Sequence, residues 1–549
     1  MKVFSKRLLS LLLCAALLIA LPVTVRQSGA AETAERDQPV IYILGYNTHL
    51  ALMNVEIDDD EISASIKTDD LMKFFQDNSD IFMKAFVTQD WSDFCKAIIE
   101  FMEESFKYLR LDGNGEPVYE TRTARLQNPD FVYGRMQRGK TLDQFNFHYD
   151  WRLDPTENMQ ALRDYIDLVL EMTGSETFSL CGRCEGSSLA LTYYETYHDE
   201  RMTDLVFYAS GLKGAYPIGE AFSGNLYVDP DALERFIYDT ELGVDLNVGD
   251  VIEINDETII KILKVASDVY GLDLVCWAVN NVYQQIYDSI TPGALRASYG
   301  SFPGFWAMVE DQYYEQAKEL VFGGVEDEYA GFIRKIDNYH YNIMNRADEI
   351  IKEASENGVR IVNAVKYGRQ SIPVVKDGDT LSDGVCKVAN ASLGATAAKV
   401  GETFSNEYIR NAIAKGKAGY ISPDICIDAS TCMFPETTWF IKDLHHNDFP
   451  MVSDAFVYHI TLCDGMTVDS DPMYPRYSFY TPGPGINEHG EEVVNGTIEP
   501  YSPDIHTSRL DEYNVTIAGS FIRKIKPWFG FLFKASMFLF KLILPRARA

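Results

Sequence analysis

Residues 177–190 read Thr177-Phe178-Ser179-Leu180-Cys181-Gly182-Arg183-Cys184-Glu185-Gly186-Ser187-Ser188-Leu189-Ala190, an apolar run that breaks at Gly-x-Cys-x-Gly. Small residues on both sides of Cys184 let the chain turn sharply from a strand into a helix. The central side chain is then held exposed at the helix N-terminus, the geometry of a nucleophile elbow. A helix N-terminus and a neighbouring imidazole both favour thiolate over thiol, so a cysteine here is competent to attack a carbonyl and form a thioester. A strand that feeds a helix in this way belongs to an α/β sheet, and the flanking sequence follows that pattern.

Short β-branched or apolar runs alternate with helical segments on both sides of the elbow. The strands expected are 40–44, 144–149, 177–181, 205–209 and 359–365, with helices over 154–172 and 185–197. Ile336, Ile343, Ala347, Ile350 and Ala354 mark another helical face, closed by Gly358. Strand, helix, strand crossovers imply parallel pairing, so the fold class is α/β with a mostly parallel central sheet flanked by helices. Two stretches interrupt the alternation. Residues 60–112 read as helix inserted after the first strand. Residues 228–345 read as a mostly helical insertion, with Ile259, Leu263, Ala266 and Val269 on one face, long enough to cap the carboxyl edge of the sheet. The organisation expected is a core over 38–227, a cap over 228–345, the core again over 346–465, and an irregular Pro- and Gly-rich extension over 466–520.

Upstream of the elbow stands Phe147-His148-Tyr149-Asp150-Trp151-Arg152-Leu153. Followed by a helix, a strand and an elbow, it resembles the Tyr-Asp-Trp-Arg segment of the lecithin:cholesterol acyltransferase family of α/β-hydrolases and its lipase relatives. The resemblance covers most of 38–465 in element order. It implies an α/β-hydrolase fold with a helical cap, acting on an acyl ester or lipid through a triad in the order nucleophile, acid, histidine. Family members carry serine in the elbow where this chain has Cys184; nucleophilic cysteine occurs there in dienelactone-hydrolase-like members of the same fold. Leu381-Ser382-Asp383-Gly384-Val385 resembles the family's acid loop, which makes Asp383 the residue that orients the imidazole, with Asp377 and Asp379 as rivals. Further on, a strand from Thr437 runs into His445-His446-Asn447-Asp448-Phe449. His446, with Phe449 three residues on, resembles the His-x-x-Phe ending and is preferred to His445. The oxyanion hole is expected to use the amides of Glu185, the residue after the nucleophile, and of Tyr46, with Asn47 as the alternative. No cofactor is implied.

Other readings stay open. Cys181 and Cys184 also spell Cys-x-x-Cys at a helix start, the arrangement of a thiol redox site. A hydrolase fold without its serine can persist as a binding protein, and Glu185 favours that reading because a carboxylate raises the pKa of an adjacent thiol. Asp377, Asp379 and Asp383 can be read as a calcium cluster, although the Gly and distal Glu of an EF-hand loop are missing. A lone cysteine pair with no partner pair does not make a zinc site.

The 549 residues are 46% hydrophobic and 13% aromatic, ample for a packed core. A net charge of −32 repels phosphate backbones, so nucleic acid is not expected as a partner. Lys2, Lys6 and Arg7, then apolar Leu8 to Leu21, then Ser28-Gly29-Ala30-Ala31 read as a signal peptide over 1–31. A secreted or surface-associated protein is therefore expected, and export permits disulfides such as Cys426 with Cys432. Residues 521–549 hold seven basic and no acidic residues, interleaved with Trp528, Phe529, Phe531, Phe533, Phe538 and Phe540. This tail suits a helix lying in an anionic membrane surface. Docking on the acidic body is the alternative.

Overall fold

The computed structural model describes residues 35–46, 52–54, 59–62, 66–123, 132–133, 144–240, 247–248, 252–253, 272–376, 378–483 and 496–518. The expected signal peptide, Asn47, the helical face over 259–269, Asp377 and the cationic tail lie outside the described residues.

Among the described residues, nine strands form the central sheet: β1 (Val40–Ile43), β2 (Val132–Tyr133), β3 (Gln144–Phe147), β4 (Phe178–Cys184), β5 (Met202–Ser210), β6 (Arg360–Tyr367), β7 (Thr438–Lys442), β8 (Tyr477–Thr481) and β9 (Thr497–Pro500). Their spatial order is β9-β8-β7-β6-β5-β4-β1-β3-β2. The inner strands all pair parallel. The edge strands β2 and β9 are antiparallel to their neighbours. Both faces of the inner strands are covered, so β1 and β4 to β7 are almost wholly buried and carry long apolar runs. One face packs Ile41, Ile43, Leu180, Leu205, Phe207, Ile361 and Val365 into the larger core. The other packs Val40, Tyr42, Val206, Tyr208, Val362 and Ala364 under Phe456, Val457 and Ile460.

The helices that flank the sheet or build the insertions include α1 (Ser92–Ser105), α2 (Met159–Thr173), α3 (Gly186–Tyr197), α4 (Leu272–Arg296), α5 (Ala347–Glu356) and α6 (Met451–Leu462). The Met159, Leu162, Ile166, Val169 spacing buries one face of α2, and Gly174 ends it with φ +68°. Its approach is fixed by a capping box between Asp154 and Glu157 in the preceding 3-10 turn.

The structure corrects three sequence expectations. The face from Ile336 to Ala354 is not one helix: a π-turn over His340–Met344 separates Ala330–Tyr339 from α5. The stretch 60–112 is not all helix but opens with strands Asp59–Ile62 and Ile66–Lys67 before its helices. The extension after 465 is not irregular throughout, because β8 extends the sheet beside β7 and β9 closes its edge. The five-residue Tyr-Ser-Phe-Tyr-Thr run of β8 is masked in sequence by the prolines on either side. The two helical insertions also meet: α1 packs on α4, with Phe74, Trp91, Phe94, Cys95 and Ile286 in one cluster. Among the described residues no helix is long and apolar enough to cross a membrane.

The chain leaves β1 to form β3 on one side and β4 on the other. Strand order therefore reverses at β1, and the carboxyl ends of β1 and β4 flank the topological switch point, the position at which open α/β sheets bind ligands.

Candidate active site

The elbow stands at that switch point. Cys184 adopts φ +50°, a left-handed conformation rarely taken by a residue with a Cβ and a form of strain that gathers at functional sites. Its carbonyl accepts the Gly211 N–H at 3.0 Å. The turn closes only because its neighbours lack side chains. A Cβ on Gly45 would lie 2.5 Å from Cys184 Cβ and 3.4 Å from Sγ, and one on Gly186 would lie 2.2 Å from the Ile43 carbonyl oxygen. Cys184 is partly exposed, whereas Glu185 and the first residues of α3 are buried.

Asp383 and His446, far apart in sequence, meet beyond the ends of β6 and β7. His446 Nδ1 is 2.7 Å from Asp383 Oδ2, and the His446 amide donates to the Asp383 carbonyl at 2.8 Å. Asp383 Oδ1 accepts the amides of Val385 at 3.0 Å and Cys386 at 2.7 Å. Burial alone would raise this carboxyl; the His446 charge and the hydrogen bonds outweigh it and hold Asp383 below the usual range. For His446, burial favours the neutral ring, but Asp383, then Cys184 and Cys386, favour the imidazolium and carry it well above 6.5. The outer nitrogen, Nε2, is buried with no hydrogen-bond partner among the described residues. A ring oriented at Nδ1, unpartnered at Nε2 and under the influence of Cys184 is equipped to exchange a proton with that sulfur.

The rivals are placed elsewhere. His445 Nδ1 accepts the Asn447 amide at 3.3 Å, and burial pulls the ring down to about 4, so it is neutral. Asp379 pairs with Lys399 at 2.6 Å on the surface rather than joining Asp383. Cys386 lies within 4.8 Å of the ligand atoms of Asp383 and His446, so these three are the groups near the elbow that could hold a metal. Burial pushes its thiol to about 12. Sequence reasoning passed over Cys386, whose only local signal is its place three residues after the acid.

The side chain of Glu185 is wholly buried and neither carboxyl oxygen has a hydrogen-bond partner among the described residues. Burial, then the Cys184 charge, raise this carboxyl well above 4.5, against a smaller opposing pull from the Tyr149 hydroxyl. A neutral acid exerts little field on the adjacent sulfur, which removes the sequence-based argument from a carboxylate there.

The chain after β1 passes against the elbow at Gly45, which puts Tyr46 next to a residue in contact with Cys184. The Tyr46 ring meets Trp151 at 4.7 Å and Phe305 at 5.0 Å. Phe305 belongs to the cap, which reaches the site through Gly304: its N–H donates to the Arg152 carbonyl at 3.1 Å, and a Cβ there would lie 2.7 Å from Glu185 Oε1. The Tyr-Asp-Trp-Arg segment is the frame for this wall. Arg152, buried, binds both Asp150 oxygens at 2.9 and 2.6 Å and donates to the carbonyls of Leu109 and Thr121 at 2.9 Å each, tying the exit of β3 to the first insertion.

Cys181 and Cys184 do not face one another. Positions three apart on a strand point to opposite faces: Cys181 is buried with Tyr42 and Val206, where burial pushes its thiol to about 12, and Cys184 packs against the other core. Cys426 and Cys432 are free thiols, as are Cys95, Cys181, Cys184 and Cys386. Compared with protein-family models, curated proteins and solved structures, the chain matches none.

Proposed function

We propose that this protein is an acyl-ester hydrolase or acyltransferase of the α/β-hydrolase type, lipase-like, working through Cys184, His446 and Asp383. The observation that carries the reading is the Asp383–His446 pair at 2.7 Å, with Nε2 buried and unpartnered, beside a cysteine in a left-handed strand-to-helix turn. The Cys184 proton passes to His446 Nε2, and the thiolate attacks the ester carbonyl. The oxyanion is held by the amides of Glu185 and Tyr46. Collapse of the tetrahedral adduct breaks the ester C–O bond, and Nε2 returns the proton to the leaving alcohol. Water or a second alcohol then gives its proton to Nε2, attacks the thioester, and releases the acid or new ester with the thiol restored. Asp383 stays ionised throughout and fixes the ring. The aromatic wall of Tyr46, Trp151 and Phe305 suits an acyl chain, and the tail over 521–549 suits delivery at an anionic membrane surface by an exported protein. No cofactor enters this scheme.

The test is intact-mass spectrometry after incubation with p-nitrophenyl esters of increasing chain length, for the wild type and Cys184→Ala. An acyl adduct that maps to Cys184, and loss of nitrophenol release in Cys184→Ala at unchanged melting temperature, is expected. Neither adduct nor nitrophenol at any chain length would sink the reading. A thiol redox function is disfavoured by the opposite faces of Cys181 and Cys184.

A further inference from the structure

Lys366 sits one residue from the end of β6, on the sheet face that carries Val362 and Ala364, and is 1% exposed. Its Nζ donates to three carbonyl oxygens: His445 at 3.2 Å, His446 at 2.9 Å and Asp448 at 2.6 Å. An ammonium has three donors and no acceptor, so the group is saturated, and all three bonds fall on the turn that bears His446. The same nitrogen lies 3.5 Å from the centroid of Phe449 and 4.9 Å from that of Tyr208. A second cation completes the arrangement. The Arg183 guanidinium, next in sequence to Cys184, stacks on Phe449 at 4.8 Å and Tyr42 at 4.6 Å and pairs with Asp454 at 2.8 Å. Phe449 thus joins the histidine turn to the nucleophile strand through two buried cations.

Burying an ammonium is costly, and burial pulls Lys366 down to about 7. Asp383 and Asp448 favour its charge, Arg183 opposes it, and Asp454 favours it weakly. Space filling does not explain a lysine where methionine would fit. Convergence on three carbonyls does, and it is a task for a compact, tetrahedral donor rather than a planar guanidinium.

We infer that Lys366 is a positioning residue for the proposed reaction: by gathering the carbonyls of His445, His446 and Asp448 it sets where the His446 imidazole stands between Asp383 and Cys184. The inference rests on the triad reading. Lys366 touches neither substrate nor reacting atom. Its loss would let the turn relax while the Asp383–His446 bond, made by side chains on the other flank, persists. A displacement on the scale of 1 Å costs on the order of 10²-fold in rate.

The experiment compares wild type, Lys366→Met, Lys366→Arg, His446→Ala and the surface control Asp379→Asn. The readouts are the pH profile of Cys184 carbamidomethylation by iodoacetamide, followed by mass spectrometry, and kcat and KM with p-nitrophenyl butyrate. All are measured well below each variant's melting temperature. Lys366→Met and Lys366→Arg are expected to lose on the order of 10²-fold in kcat with little change in KM. Their alkylation profiles should move toward that of His446→Ala, while Asp379→Asn follows the wild type. If Lys366→Met does not fold, Lys366→Arg, which keeps charge and bulk, reads the same quantities. Profiles that superimpose on the wild type with kcat within twofold would overturn the positioning role and leave the triad standing. A wild-type profile identical to that of His446→Ala would overturn the triad, and this inference with it.

Discussion

Replacing Glu185 by Gln tests whether the residue beside the nucleophile is a neutral acid. The carboxyl is wholly buried, and the ionisable groups that act on it are Cys184, the Tyr149 hydroxyl and Asp150, none of them a cation. In the unfolded chain it ionises near 4.5, while in the folded protein it keeps its proton well above that. The folded state therefore binds one more proton than the unfolded state from about pH 4.5 up to the folded pKa. Stability from this group is fully present below 4.5 and is lost as pH rises toward the folded pKa, at about 1.4 kcal/mol per pH unit for one proton. Glutamine has the same shape and no titration. The difference in unfolding free energy between Glu185→Gln and wild type should accordingly grow in favour of the variant by about 1.4 kcal/mol for each unit above pH 5, until the buried acid ionises. Urea unfolding of both proteins at pH 5, 6 and 7, followed by tryptophan fluorescence, measures this difference, and other titrating groups common to both chains cancel. Parallel pH dependence of the two proteins would refute the neutral-acid assignment. The variant should also retain ester turnover, because the oxyanion contact invoked for residue 185 is its main-chain amide.

Asp383→Asn keeps the shape of the His446 partner but lets the amide NH2 face Nδ1, which selects the wrong tautomer; turnover should fall by on the order of 10³- to 10⁴-fold with the fold intact, and near-wild-type kcat would remove Asp383 from the mechanism. Gly186→Ala puts a Cβ 2.2 Å from the Ile43 carbonyl oxygen and 2.9 Å from that of Leu44, backbone atoms with no rotamer to yield. It should destabilise by about 3 kcal/mol, and a melting temperature equal to the wild type would show that the turn is looser than described.

What was legible in the sequence was the geometry set by local sterics. Gly-x-Cys-x-Gly announces a tight turn because only small neighbours allow it, and the close approaches at Gly45 and Gly186 are that rule in atoms. Strand–helix alternation likewise pointed to an α/β sheet. Features decided by contacts across the fold were not legible. Only the spacing to Phe449 separated His446 from His445 in sequence; the physical difference appears when the loop after β6 brings Asp383 against one ring and not the other. Lys366 reads in sequence as one polar residue in a strand, and its carbonyl acceptors belong to a turn some eighty positions later. The strand Tyr477–Thr481 is short and flanked by prolines, and pairing with β7 defines it.

Two buried carboxyls near the elbow show how the fold decides charge. Asp383 and Glu185 are both fully buried, and burial alone would neutralise each. Asp383 receives two backbone amides and an imidazole, so its anion is favoured; Glu185 has only the small opposing pull of the Tyr149 hydroxyl against burial and the Cys184 charge, so its acid form is favoured. The same functional group is thereby assigned opposite protonation states by donor supply, not by depth. That division suits a thiol nucleophile: an anion stands behind the imidazole, where it supports proton uptake, and none stands beside the sulfur, where it would oppose the thiolate. Supplying Glu185 with a cation or a pair of amides would favour the carboxylate and place a negative charge next to Cys184, so the weak donor supply at Glu185 among the described residues matters as much to the proposed reaction as the strong supply at Asp383.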